Sequence, residues 1–228
     1  MFTGFPAEGL AFLAGLAQNN NREWFEARRE VYQTALLEPA LAFVETLGER
    51  LREIAPHIRF DTRTNGAGSL MRIHRDVRFA KDKSPYHDYV SGLLWEGAGK
   101  KNNCPAFGFQ LIPEGLGLMA GQFMFTKEGL DSYRAAVLDE EFGTALAKIC
   151  NDLRGRPGYE LGGEALKTVP RGFDADHPRA DLLRYKGLYA HPPRLTGPLL
   201  SSPDLVDACM AHFVIMAPLQ QWLVTATQ

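Results

Sequence analysis

Apolar positions in the first third of the chain recur at helical spacing. Leu10, Leu13, Leu16 and Ala17 share a face until Asn19, Asn20 and Asn21 interrupt it, which predicts a short helix between Pro6 and Ala17. A second helix follows, with Asn20 as its cap, Glu23 in the capping-box position, and Trp24, Arg28, Val31, Tyr32 and Ala35 on one face. Trp24, Arg28 and Tyr32 suit core packing and also the wall of a cleft. Pro39 fits a first turn but not a helix interior, so a break or kink is expected there. Val44, Leu47, Leu51 and Ile54 then resume the stripe as far as Pro56.

The middle of the chain changes period. Ser69 to Phe79 alternates, and Val90–Trp95, Ala106–Ile112 and Leu116–Phe125 are apolar, aromatic-rich or β-branched runs bounded by Gly, Pro and Asn. Four strands are expected, the last two joined as an antiparallel hairpin by Pro113-Glu114-Gly115, with the glycine left-handed. Helical spacing returns behind a cap at Thr126, again after Asp139, and closes at Gly155 to Gly158. The Gly- and Pro-rich stretch that follows has room for short strands at 166–169 and 187–190 and a short helix after His177-Pro178. A last helix starts at Ser202-Pro203, with Pro218 expected to kink it. The expected organisation is one α+β domain built on a mainly antiparallel sheet. It is helical over 6–56, sheet over 69–125, helical over 127–155, mixed over 159–200 and helical over 203–226.

Composition narrows the function classes. A length of 228 residues fits one large domain or two small ones, and 45% hydrophobic with 23% charged residues at a mean hydropathy of -0.20 is ordinary globular usage. Twenty-five Lys+Arg against 27 Asp+Glu leave a formal charge of -2, without the global positive field of a general nucleic-acid binder. No uncharged apolar run is expected to approach the roughly 20 residues that span a bilayer, and the start resembles no signal peptide. Cys104, Cys150 and Cys209 form no C-x-x-C pair, so reduced thiols and a cytoplasmic location are expected.

Polar chemistry concentrates between Ser69 and His87. As a regular strand, Met71, Ile73, Val77 and Phe79 would face the core, with Arg72, His74, Asp76 and Arg78 on the other side. Arg75 would then fall on the apolar side and need an acid, a bulge or an edge position. Five cations (Arg72, Arg75, Arg78, Lys81, Lys83) meet two anions (Asp76, Asp82), a local surplus of +3, and Arg offers a planar fork to carboxylate or phosphate. A small anionic ligand held by Arg72, Arg78 and Lys83 is one reading; a solvated face of surface ion pairs is the other. His74 and Asp76, neighbours on such a strand, are the candidate acid-base pair. No nucleophile completes a triad, the H-R-D match to kinases lacks its companion motifs, Gly99-Lys100-Lys101 reads as an exposed loop tip rather than a phosphate loop, and no metal site is assigned, although His74, Asp76 and His87 could converge.

The block from Arg72 to Phe79, continued by Asp82-Lys83-Ser84-Pro85-Tyr86, resembles a mainly bacterial family known only as domain of unknown function 2461. The opening Phe2 to Phe5 and the block from Asn20 to Phe25 are similar to that family too. Later stretches at Lys167–Phe173, Asp176-His177-Pro178 and Pro218–Trp222 extend the likeness over nearly the whole chain. Members often carry tyrosine where this chain has His74. The resemblance implies a single α+β domain and directs attention to Arg72, Arg75, Asp76, Arg78, Asp82, Lys83, Pro85 and Tyr86; it implies no activity and no cofactor. Three functions stay open: a cleft for a phosphate- or carboxylate-bearing molecule, with or without catalysis; a non-catalytic module for a protein or, against the charge balance, nucleic acid; and a structural network tying the charged segment to helix acids such as Glu23 or Glu26.

Overall fold

A computed structural model describes residues 1–163 and 165–227. Helix α1 (Ala7–Gln18) buries Phe12, Leu13 and Leu16 as its apolar spacing requires. The chain before it is anchored by Phe2 and Phe5, whose rings meet Phe43 at 5.0 and 5.5 Å between centroids. Gly4, at φ +112°, brings the backbone so close to Ser201 that a Cβ would lie 2.3 Å from its carbonyl carbon, and Phe5 N donates to Leu200 O at 2.8 Å. Only glycine combines that left-handed φ with that approach.

The second expected helix, with Trp24 to Ala35 on one face, is not continuous. Helix α2 (Arg22–Glu26) and the single turn α3 (Arg29–Val31) lead into a π-helical turn (Tyr32–Leu37), and helix α4 (Glu38–Leu51) follows without a gap. Pro39 therefore does not interrupt the chain's helical course. Proline lacks the N–H and crowds the carbonyl four residues back, here Ala35; the widened turn ahead of it absorbs that misfit. The Ala35 carbonyl faces Gly9 of α1, where a Cβ would lie 2.1 Å from its oxygen.

Strands β1 (Val90–Trp95), β2 (Ala106–Ile112), β3 (Gly115–Gln122), β4 (Glu160–Gly162) and β5 (Leu188–His191) form one antiparallel sheet in the order β1-β2-β3-β5-β4. The expected hairpin is present, with Ile112 opposite Gly115. Gly115 is not left-handed; its role is to let Leu195 O come within 2.5 Å of where a Cβ would stand. The strand expected at 166–169 is displaced to Glu160–Gly162, which occupies the short edge of β5, while Ala165 makes only an isolated bridge to Tyr185.

The strand expected from Ser69 to Phe79 does not form. Leu70 bridges Gly92 at the β1 edge and His74 bridges Tyr86, but the rest is irregular. After Ile73 the backbone pairs with its own continuation, Arg75 N donating to Pro85 O at 2.9 Å and His87 N to Ile73 O at 2.7 Å. The alternation is consequently not a core face: Val77 is half-buried and Phe79, expected inside, is 95% exposed.

The cap predicted at Thr126 is made, and the helix expected after Asp139 is capped by that residue. Thr126 accepts from Gly129 N at helix α5 (Lys127–Leu138), and Asp139 accepts from Phe142 N at helix α6 (Glu140–Arg154). Helix α7 (Leu205–Thr227) continues through Pro218. Contrary to the reading of the sequence, α7 is by length and composition apolar enough to cross a membrane, but half of that window is buried inside the protein. Its hydrophobicity on several faces follows from packing between the sheet, α4, α5 and α6, with Phe213 meeting Phe107 of β2 at 5.1 Å.

The α1 to π-turn contact makes a direct prediction. Gly9→Ala should destabilise the protein by about 1–3 kcal/mol, the usual cost of overpacking, read as a fall in thermal midpoint of about 2–4 °C per kcal/mol for a chain of this size. An unchanged midpoint would mean that the two helices can move apart freely.

Candidate functional site

The segment expected to carry the chemistry is a loop that satisfies most of its own charges. Arg75 finds the acid it needs: Nη1 donates to Asp82 Oδ2 at 2.5 Å and to Ser84 O at 3.1 Å. Asp82 also accepts from Ser84 N and Oγ at 2.9 and 2.7 Å, and these bonds hold its carboxyl well below the usual carboxylate range. Arg78 grips Asp76, Nη2 to Oδ2 at 2.7 Å, and lowers that carboxyl as well. Lys83 Nζ donates to Val77 O at 3.0 Å. The expected His74–Asp76 partnership is not formed, because without a strand the two side chains do not share a face and Arg78 occupies the carboxylate. Glu26, offered in the structural reading as a partner for these cations, pairs instead with Arg29 at 2.9 Å. His74, Asp76 and His87 do not assemble as a metal site; among the described residues no group of three His, Cys, Asp or Glu does.

Tyr86 ends the loop and is held from both sides. Its ring is buried against Phe25, 4.1 Å between centroids at 12°. Its backbone N–H donates to Asn20 Oδ1 at 3.0 Å, and Asn20 Nδ2 donates back to Tyr86 O at 2.9 Å. The cap expected of Asn20 is instead provided by Asn21, which accepts from Trp24 N at 2.9 Å. Tyr86 thus packs in the core and fastens the loop to α2.

Two hollows flank this structure. The smaller, about 240 Å³, lies between the π-turn and residues 70–74, with Arg72 and His74 on its wall. The larger, about 980 Å³, is a groove along the sheet face opposite α4 and α7. Sequence reasoning missed it, yet the signal is present in the strand periods. Ser91, Leu93, Gly108, Gln110, Gly117 and Met119 alternate with the buried inward residues and are paired across strands, and glycines at two of those six positions leave the floor without side chains. At the hairpin end the Arg194 guanidinium lies over Gly117, Nη1 3.4 Å from a notional Cβ. At the other end stand Phe123, 63% exposed and stacked on Tyr189, and the half-exposed Met124. Lys101, read as part of an exposed loop tip, is 8% exposed; its ammonium donates to Gly68 O and Leu70 O, and burial lowers its pKa. No aspartate or glutamate lines the groove, whereas Lys101, His191 and Arg194 do.

A family model described as "Conserved hypothetical protein (DUF2461)" matches residues 8–222. No curated protein matches the chain.

The loop's bonds can be tested separately from any ligand. Asn20→Ala strands both polar groups of a buried tyrosine's backbone and should cost about 2–3 kcal/mol in urea unfolding; a loss within experimental error would show that the clamp is dispensable. Asp82, with its folded pKa depressed, contributes stability that is complete above its unfolded pKa near about 3.9 and is lost as pH falls through the lower folded value. Asp82→Asn should therefore flatten the acid limb of the stability profile below about pH 4. An unchanged acid limb would mean that the Arg75 and Ser84 bonds do not form in solution.

Proposed function

Since the chain belongs to DUF2461, a family of conserved hypothetical proteins, we propose from its own geometry that the groove binds a small amphipathic molecule with an apolar body and an anionic head. The observation that carries this reading is the wall composition: three basic side chains, no acidic one, and a floor of glycine, leucine and methionine. A concave apolar site with few convergent polar groups is the usual form of a ligand pocket, and about 980 Å³ lies at the upper end of the usual range.

The orientation follows from which cation is available. Lys101 is committed to two carbonyls, and His191 faces Glu160 at 3.8 Å. Arg194 makes no hydrogen bond or ion pair among the described residues, with its stem laid over Gly115 and its guanidinium over Gly117. The anionic head sits at Arg194, at the hairpin end, with Gln110 and Tyr89 beside it, and the apolar body runs along Leu93 and Met119 towards Phe123 and Met124. A guanidinium offers carboxylate and phosphate the same two-pronged contact, so both heads fit. The cytoplasm is the compartment this reading assumes, supported by three free, buried cysteines; burial pushes the Cys150 thiol up to about 12 and Cys209 further, which leaves them unreactive.

Decanoate, decyl phosphate and decanol separate head from body. The two anions should bind at least about tenfold more tightly than decanol by calorimetry, the fold-change expected of one charged hydrogen-bonded contact, and Arg194→Gln should erase that preference. Gly117→Leu, which meets no backbone where its Cβ would stand, should fill the floor and weaken all three. Equal binding of decanol and decanoate, or indifference to Gly117→Leu, would refute the reading.

A further inference from the structure

The smaller hollow is separate chemistry. Its wall includes Arg29, Tyr32, Gln33, Thr64, Arg72 and His74, a set rich in donors and free of carboxylates. Arg29 already gives Nε and Nη2 to Glu26, both at 2.9 Å, which leaves its Nη1 side unused by that pair. Arg72 makes no hydrogen bond or ion pair among the described residues. The carboxylate it acts on at longer range, Asp76, is occupied by Arg78. Gly66, at φ +88°, lets the Arg72 side chain lie against the loop backbone, with Nε 3.0 Å from a notional Cβ. Tyr32 packs between Phe12 and Phe25 at 5.9 and 5.2 Å, and its burial raises its pKa, so the hydroxyl stays protonated and able to donate. His74 is held by Tyr86 and Phe25, at 5.1 and 6.1 Å between ring centroids.

We infer that this cleft is a second binding site, taking a compact phosphate group, with Arg72 as the principal charge and Gln33, Thr64, Tyr32 and His74 as surrounding donors. Size supports a compact occupant: about 240 Å³ is below the roughly 300–1,000 Å³ of ordinary small-molecule pockets. The position supports an anion, because Glu26, a carboxylate that acts through space on His74, is already held by Arg29. The π-turn contributes Tyr32, Gln33 and Leu37 to one wall, a placement in keeping with the frequent use of π-turns at functional sites.

Titration of the full chain with inorganic phosphate and with methyl phosphate at low ionic strength, followed by calorimetry, tests this. Saturable binding of either is expected, weakened at least about tenfold by Arg72→Gln, the loss of one charged contact, and unaffected by Arg194→Gln. The tighter of the two ligands then shows whether the group arrives free or carried by a molecule. Arg72 is exposed, and an unchanged melting midpoint for Arg72→Gln establishes that the variant is folded. Absence of saturable binding, or binding that survives Arg72→Gln, overturns the inference. Binding that Arg194→Gln removes overturns it as well, because the phosphate would then be in the groove. Decanoate binding in the Arg72→Gln protein is independent of all three outcomes and reports on the groove alone.

Discussion

Two hydrogen bonds between the Asn20 amide and the Tyr86 backbone hold the end of the irregular segment that forms one wall of the smaller cleft. Residues 59–89 cross the front of the molecule with almost no regular structure, and an irregular segment must find partners for its backbone polar groups one at a time. At its upper end Met71 N donates to Ser91 O and Leu93 N to Ser69 O, tying it to the β1 edge. At its lower end the Asn20 clamp and the Phe25–Tyr86 stack tie it to α2. Between these anchors the chain from Leu70 to His74 stands away from the π-turn, and the gap it leaves is the smaller cleft.

The groove has a different origin, in a sheet whose helices lie on one side. Aromatic and aliphatic residues of β2 and β3 face α4 and α7, as in Phe109 against Phe43 at 5.0 Å. An antiparallel sheet of this kind ordinarily turns a polar face to water. Here the outer positions carry glycine, leucine and methionine as well as serine and glutamine. A polar face needs side chains long enough to be solvated, and a packed face needs bulk; glycine at Gly108 and Gly117 provides neither. What remains is a trough whose walls come from β5, the residues after it, and the Lys101 loop.

Legibility in the sequence followed the range of the interactions involved. The strands at Val90, Ala106 and Leu116, the cap at Thr126, the helix after Asp139 and the antiparallel hairpin were readable, since each is decided within a few residues. An acid was one of three arrangements expected for Arg75 on a strand; the strand is absent, but Asp82 supplies the acid seven residues on. The course of Ser69–Phe79 was not readable, because alternation at half a dozen positions is also compatible with a loop that pairs with itself around a tip at Phe79. Asn20 looked like a cap because its long-range partner is 66 residues away. Arg194 carried no local signal at all: its importance comes from the glycines of β3 that leave room beneath it, and those become its neighbours only when Leu195 bridges Leu116.

Charge in this protein is therefore distributed less simply than the +3 surplus of its central segment suggests. Three of those five cations are tied up inside the loop, by Asp82, Asp76 and the Val77 carbonyl, and a guanidinium already bonded to a carboxylate has little left to offer an incoming anion. In the readings proposed above, binding falls to cations that the fold leaves without a bonded acid. Arg72 and Arg194 are two such residues, each kept against a glycine that holds its stem near the backbone. They line hollows with a common wall, because Met71 borders both the groove and the cleft. The same short stretch of backbone that continues the sheet edge at Leu70 thus separates an apolar hollow from a polar one, and its position is fixed from both ends by bonds within the protein.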